Sequence, residues 1–304
     1  MNFIDEKPLV SIIINCFNSE EFLHEAIDSV LQQSYSNFEL IFWDNQSTDN
    51  SAQIARSYDD PRIKYYYSLK HTSLGEARNL ALEKVEGEFI SFLDADDSYN
   101  INRIEECLRA FVSVDVGLVY TNGEVIRGGI RVPFYQHVQK HGEMFHYWLK
   151  RYKVMIPSVM FRRKCLESLG DDWVDIRFSM VEEYDFFLRI SRLWKVNYCH
   201  EKLCMWRDHP QSMTWSKTEL WGREFFLLAE KLSIGFSVSI ADLALLRKKS
   251  ALYYYLGGVK KGEALRGELE AFVFSDFRFM VLYFLSFFGV KINFFIFRVM
   301  GFIK

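Results

Sequence analysis

Within the first 120 residues, short β-branched or aromatic runs alternate with segments of helical spacing, and that alternation leaves few folds open. Val10-Ser11-Ile12-Ile13-Ile14, Phe38 to Trp43, Ile63 to Tyr67, Phe89 to Leu93 and Val116 to Tyr120 read as strands. Between the first two, Asn18 and Glu21 offer a helix cap and its return partner, with Phe22, Ala26, Ile27, Val30 and Leu31 at helical spacing. A short helix around Ile54 and Ala55 follows the second run. Ser73-Leu74-Gly75-Glu76 has capping-box spacing ahead of Leu80, Leu82 and Val85, and a further helix is expected over 101–114. Strand–helix repetition of this kind predicts a parallel sheet with crossover helices.

After Thr121 the rhythm breaks. Residues 122–155, richer in His, Gly, Lys and Tyr, read as an excursion over one face. Pro157 to Arg162 resumes a strand pattern, Tyr184 to Leu193 forms an amphipathic helix behind Glu182 and Glu183, and Val196 to Leu203 reads as a short edge strand. From Trp215 onward only helix signals remain: Glu224 to Leu232, Ala241 to Leu256 and Glu263 to Val273. The end, Phe279 to Lys304, is apolar and carries Lys291, Arg298 and Lys304 but no Asp or Glu. Its longest charge-free stretch is shorter than the roughly 18–20 residues of a membrane span. Two readings stay open for it: an interfacial helix on an anionic leaflet, or a helix packing its Phe residues on the C-terminal part.

A net charge of −3 argues against a general nucleic-acid binder. The five cysteines are odd in number and show no CxxC pair, so free thiols in a reducing, cytoplasmic compartment are expected. The polar, acidic Met1 to Pro8 lacks the pattern of a signal peptide.

The fourth run ends in Asp94-Ala95-Asp96-Asp97, three carboxylates in four positions. Like charges at a strand end repel, and a divalent cation with oxygen ligands, Mg²⁺ or Mn²⁺, is the simplest compensator. Acids also stand at Asp44 after the second run and at Glu182/Glu183 ahead of the later helix. Ligands of open parallel sheets sit beyond the carboxyl ends of the strands, so acids at successive strand ends can converge on one ligand.

Five stretches in series resemble family 2 glycosyltransferases: Val10 to Asn18, Ser29 to Leu40, Asp44-Asn45-Gln46-Ser47-Thr48-Asp49, Glu76-Ala77-Arg78-Asn79 and Leu93 to Asp97. The resemblance covers about Pro8 to Met213. It implies an α/β GT-A fold, with an open, mostly parallel sheet flanked by helices, over residues 1–215. Residues 1–121 would be the nucleotide-binding half and 122–215 the acceptor-side half, followed by a helical C-terminal region, 216–304. It also implies inverting transfer of a sugar from a nucleotide donor, most simply a UDP-sugar, to a hydroxyl of a glycan, lipid-linked or protein acceptor, with Mg²⁺ or Mn²⁺.

By the same resemblance Asn15, Phe17, Asn18, Asp44, Arg78, Asp94 and Ala95 would line the nucleotide. Asp44 would accept from the base, with Asn45, Ser47 and Asp49 left to make the turn. Asp94 would face the ribose, Asp96 with Asp94 the metal, and His209 of Arg207-Asp208-His209 the metal or diphosphate. Arg78 would reach the phosphates or Asp94, a surface salt bridge being the alternative, and Asp97 would cap the next helix. The general base would be Glu183, with Glu182 as the other candidate, because the family has Asp where Glu183 stands. Asn45-Gln46 also departs from the family's Asp-Gly. A non-catalytic nucleotide-sugar binder and a sugar nucleotidyltransferase are the rivals. The second would carry a Gly-rich loop after the first strand, which Asn15-Cys16-Phe17-Asn18 is not.

Overall fold

The computed structural model describes residues 7–209, 217–236 and 238–260. By contacts the chain divides into two units, one running to Arg177 and resuming at Glu182–His209, the other formed by Phe178–Val181 and the residues from Pro210.

The first unit is built on β1 (Val10–Cys16), whose Val and Ile side chains are buried on both faces. Such a continuous apolar run suits a strand covered by helices on each side. β1 pairs in parallel with β2 (Phe38–Asp44) on one side and β4 (Phe89–Phe92) on the other, and β2 pairs in parallel with β3 (Ile63–Tyr67). The register sets Cys16 beside Asp44 and Asp44 beside Tyr67, so these strands end level. The crossovers carry α1 (Leu23–Leu31), α2 (Ser51–Arg56) and α3 (Leu74–Leu82). The Ser73 hydroxyl caps α3 by accepting from the Glu76 N–H, as the spacing predicts. Asn18 and Glu21 do not cap α1, which starts after Phe22 with no side-chain cap. Asn18 instead turns left-handed (φ 51°), a conformation Asn tolerates, and its Oδ1 accepts from Thr48 N–H at 2.7 Å. That bond ties the loop after β1 to the loop after β2.

Beyond β4 the sheet is mixed. The path runs β3-β2-β1-β4-β8-β6-β9-β5, with β5 (Ser98–Tyr99), β6 (Val116–Arg127), β8 (Val159–Arg162) and β9 (Lys195–Asp208), and β7 (Ile130–Pro133) pairs with β6. β8 is antiparallel to both β4 and β6, while β9 runs parallel to β6 and antiparallel to β5. Three expectations change here. Residues 122–127 continue β6 rather than leaving the sheet, and Gly128-Gly129 (φ 55° and 82°) turns the chain into β7. β9 is an interior strand of 14 residues, held on both edges, not a short edge strand. The helix expected over 101–114 is α4 (Arg103–Arg109) alone, with Val112 and Val114 left exposed.

Arg103 explains how β4, β5 and β8 stay joined. Its side chain is fully buried, donates to the Pro157 and Val159 carbonyls at 2.9 Å and to the Ser91 hydroxyl, and lies over the Tyr99 ring. A buried cation persists only with such partners. The remaining helices of this unit are α5 (Phe145–Arg151), α6 (Lys164–Leu169) and α7 (Glu182–Leu193). All five cysteines are free thiols.

The second unit contains α8 (Thr218–Gly235) and α9 (Ile240–Lys260). Trp221, Phe225 and Tyr253 stack between them, and the Ser250 hydroxyl donates to the Gly222 carbonyl. The buried Glu224 carboxylate accepts from the N–H groups of Ser179, Met180 and Val181, which is why this short segment stands with the helices. The helix expected over 263–273 and the tail from Phe279 lie outside the described residues. Among the described residues no helix is long and apolar enough to cross a membrane.

At Gly87 two chain segments come too close for a side chain. Its N–H donates to the Ser11 hydroxyl at 2.9 Å, and a Cβ would stand 2.7 Å from Ser11 N and 2.8 Å from the Leu9 carbonyl oxygen. Gly87→Ala should therefore destabilise the protein by about 1–3 kcal/mol. The check is a lower urea midpoint at unchanged m-value, and an unmoved midpoint would contradict the close approach.

Candidate active site

The carboxyl ends of β1, β2 and β4 meet where the strand order reverses, since β1 is flanked by β2 and β4. At the end of β2, Asp44 is fully buried and both its oxygens are engaged. Oδ1 accepts from the Ser47 N–H at 2.7 Å and Oδ2 from the Tyr65 hydroxyl at 2.6 Å. The turn is shared: Asp49 Oδ1 accepts from the Ser51 N–H at 2.9 Å, as expected of it, while Asp44 also bonds within the loop. Asp44 reaches the Ser47 N–H and so shapes the loop from beneath. Asn45 is buried too, its Oδ1 accepting from Thr72 Oγ1 and its Nδ2 donating to the Thr72 carbonyl, both at 2.9 Å.

What faces outward at this end is aromatic. Phe17 is 46% exposed and its ring lies 4.2 Å from that of His71. His71 Nδ1 is 2.9 Å from the Asn45 carbonyl oxygen, which fixes the imidazole beside the loop. Asn15 Nδ2 is buried without a hydrogen-bond partner. Tyr65, His71 and Thr72 were not legible as site residues, because the third strand and the loop after it carry no motif. A half-exposed ring pair only forms once two loops meet.

The acid turn after β4 is pinned by Arg207. Its backbone N–H donates to Asp97 Oδ1 at 2.9 Å, its Nε to the Asp96 carbonyl at 3.0 Å, and its Nη2 to Glu25 Oε2 at 2.6 Å. Asp97 is thus a buried acceptor for β9, not the cap of α4, which has no side-chain cap. Burial, followed by the charges of Asp96 and Asp94, pushes the Asp97 carboxyl well above the usual carboxylate range. Burial also raises Asp94, with Arg78 pulling it back and Asp96 adding to the rise. Ala95 packs in the core between them.

Asp96 keeps about a third of its side chain open, and its Oδ2 lies 2.9 Å from His209 Nε2. Among the described residues no three His, Cys, Asp or Glu side chains form a ready-made metal cage. A cation carried by substrate phosphates needs only one or two protein ligands, and the part-open Asp96 carboxylate is an oxygen donor that Mn²⁺ or Mg²⁺ accepts. The crowding of Asp94, Asp96 and Asp97 favours added positive charge. The residues therefore fit such an ion.

Across from this turn stand Glu182 and Glu183, the first two residues of α7. Between them and Asp94 lies Arg78 of α3, 3% exposed, so the surface salt-bridge alternative is overturned. Its Nη1 donates to Glu182 Oε1 at 2.6 Å and its Nη2 to Asp94 Oδ1 at 3.2 Å. Glu183 Oε2 is 3.9 Å from the same Nη1, and Glu183 keeps 26% of its side chain open against 2% for Glu182. Burial, then the neighbouring Glu182 charge, pushes the Glu183 carboxyl well above the usual range, against the pull of Arg78. The two acids are thereby distinguished: Glu182 is locked on a guanidinium, while Glu183 is reachable and unusually basic. Tyr152, its ring stacked 4.2 Å from Tyr184, adds a hydroxyl to this side that the sequence did not flag.

A carboxyl whose folded pKa lies above its ordinary 4.5 contributes stability in full below that value and loses it as pH rises through the folded pKa. Glu183→Gln removes the loss. In the presence of EDTA the variant should melt above the wild type at pH 8, with the difference closing toward pH 4. A variant melting at or below the wild type at pH 8 would contradict the assignment.

Comparison with known proteins shows the family and the fold. The model of Glycosyl transferase family 2 matches residues 11–170. An uncharacterized glycosyltransferase of Rickettsia typhi is 30% identical over 220 residues, spanning 68% of this chain and 66% of that protein. WfgD of Escherichia coli, a UDP-Glc:α-D-GlcNAc-diphosphoundecaprenol β-1,3-glucosyltransferase, is 31% identical over 61% of this chain and 70% of its own. Among solved structures, S. aureus TarS (residues 1–349) superposes with a TM-score of 0.66 at 18% identity, covering 87% of this chain and 80% of that one. The mannosyltransferase PcManGT of Pyrobaculum calidifontis, in complex with GDP-Man and Mn²⁺, gives 0.58 at 15% identity over 90% and 77%. With a family model over more than half its length and a switch point bordered by acids, the chain belongs to glycosyl transferase family 2, with the GT-A fold.

Proposed function

We propose that this glycosyltransferase moves a sugar from a nucleotide diphospho-sugar, most simply a UDP-sugar, to a hydroxyl of a growing surface glycan, with inversion at the anomeric carbon. The observation that carries the reading is the open, strongly basic Glu183 facing the Asp94–Asp96 turn across Arg78. Residues 1–121 would hold the nucleotide. Phe17, with Asn15, Asn18 and His71 around it, offers a ring for the base, Asp44 holds the loop beneath it, and Asp94 receives the ribose. Asp96 and His209 would hold Mg²⁺ or Mn²⁺ against the diphosphate. When bound, the ion offsets the negative charge that builds on the leaving phosphate.

Residues 122–215 would present the acceptor. Glu183 takes the proton from the acceptor hydroxyl as its oxygen bonds to the anomeric carbon and the bond to the diphosphate oxygen breaks. One in-line displacement of this kind inverts the carbon. Glu182 fixes Arg78 and takes no proton. What supports the donor class is that WfgD acts with UDP-Glc by its name and that TarS has been solved with UDP-GlcNAc; the similar TuaG of Bacillus subtilis, a putative teichuronic acid biosynthesis glycosyltransferase, supports the surface glycan. A polyprenyl-diphosphate-linked acceptor would place the protein on the inner face of the membrane, with the tail beyond 277 as its peripheral contact.

The test is nucleotide release from UDP-glucose and UDP-GlcNAc with Mn²⁺. Glu183→Gln should lower the rate by about 10²–10⁴-fold while UDP still raises the Tm. Asp96→Ala should abolish the Mn²⁺ dependence. Full metal-dependent turnover in both variants would sink the mechanism. UDP binding without turnover in the wild type would favour a non-catalytic binder.

A further inference from the structure

We propose that Arg78 is a positioning residue that joins the donor side of the site to the acid pair, holding Asp94 and Glu182 in one fork and so fixing where Glu183 stands. The inference rests on the reading of Glu183 as the base.

Arg78 projects from α3, and the carboxylates it joins lie 16 and 104 residues away in sequence. Its guanidinium spans 2.6 Å to Glu182 and 3.2 Å to Asp94, with the cation 5.4 Å from the centre of the Phe92 ring. Two anchors that point in different directions need a planar fork, which Lys does not supply. Its neighbour repeats the gesture. Asn79 Nδ2 donates to the Val174 carbonyl at 2.8 Å and Asn79 Oδ1 accepts from the Val174 N–H at 2.9 Å. Arg78-Asn79 therefore clamps the approach to α7 and its first residue onto α3 together.

The charge count decides what the clamp does. Among the described residues Arg78 is the buried cation that faces Asp94, Glu182 and Glu183, and Glu182 takes its short bond. Glu183, 3.9 Å away, receives a share of the positive charge too small to offset its burial and the Glu182 charge. The other groups toward Glu183 are Asp94, beyond Arg78, and Tyr152, whose hydroxyl burial keeps neutral. Removing Arg78 or Glu182 should thus move the basicity of Glu183 in opposite directions.

The experiment is the pH–rate profile of nucleotide release from UDP-glucose or UDP-GlcNAc with Mn²⁺, alongside UDP binding by calorimetry. Arg78→Gln should carry the acid limb upward by about one pH unit or more, and Glu182→Gln should carry it downward. The double variant, which removes one charge of each sign, should return the limb close to that of the wild type. Arg78→Lys should keep the limb near the wild-type position while lowering kcat about 10-fold or more, because the charge remains and the fork does not. If Arg78→Gln does not fold, the near-isosteric Glu182→Gln and the double variant decide. Losses of rate with an unmoved limb, or limbs that move the same way, would overturn the proposal. Turnover that survives in Glu183→Gln would overturn the base reading instead.

Discussion

Everything at the site depends on β1 being hydrogen-bonded on both sides in parallel register. Val10 stands beside Phe38 and beside Phe89, so three strands start together and end near one edge. From β1 the chain continues to β2 on one side, and β4 is added on the other, so the strand order reverses there, the place where open α/β sheets bind ligands. Cys16 and Asp44 end level, and the Leu93 N–H closes the ladder on the Ile13 carbonyl before the chain turns into Asp94. Without that edge the acids would be scattered surface groups.

At this edge the acids fall into different states through their surroundings. Asp44 accepts one bond on each oxygen, from a backbone N–H and a tyrosine hydroxyl. Asp97 is buried against β9, Glu182 sits on a guanidinium, and Asp96 faces His209. Glu183 and Asp94 both combine an open flank with a carboxyl driven upward by burial and a neighbouring charge, Glu183 at the start of α7 and Asp94 in the turn after β4. Groups pushed apart in this way are suited to separate tasks, one accepting a proton, another meeting a cation.

Much of the parallel half was legible locally. Ile12, Ile13 and Ile14 announce a doubly covered strand, and Ser73 with Glu76 announces the start of α3. The antiparallel half was harder. β6 runs on through Thr121-Asn122-Gly123-Glu124, residues whose polarity resembles a loop, and they stay extended because β9 pairs with them across two register shifts. The Gly128-Gly129 turn between Val-Ile-Arg and Ile-Arg-Val was the available signal for the hairpin.

The sequence by itself determined the family, the α/β order and which carboxylates stand at strand ends, because periodicity and short motifs are local properties of the chain. Only the tertiary structure decided what each carboxylate touches and how far it is buried. Arg78 meets Glu182 across 104 residues, and Arg207 meets Asp97 across 110. Protonation and exposure follow from such long-range contacts, since the charge of a buried group is set by its neighbours in space. That is why Asp44 also anchors its loop and why Glu183, rather than Glu182, is the open acid.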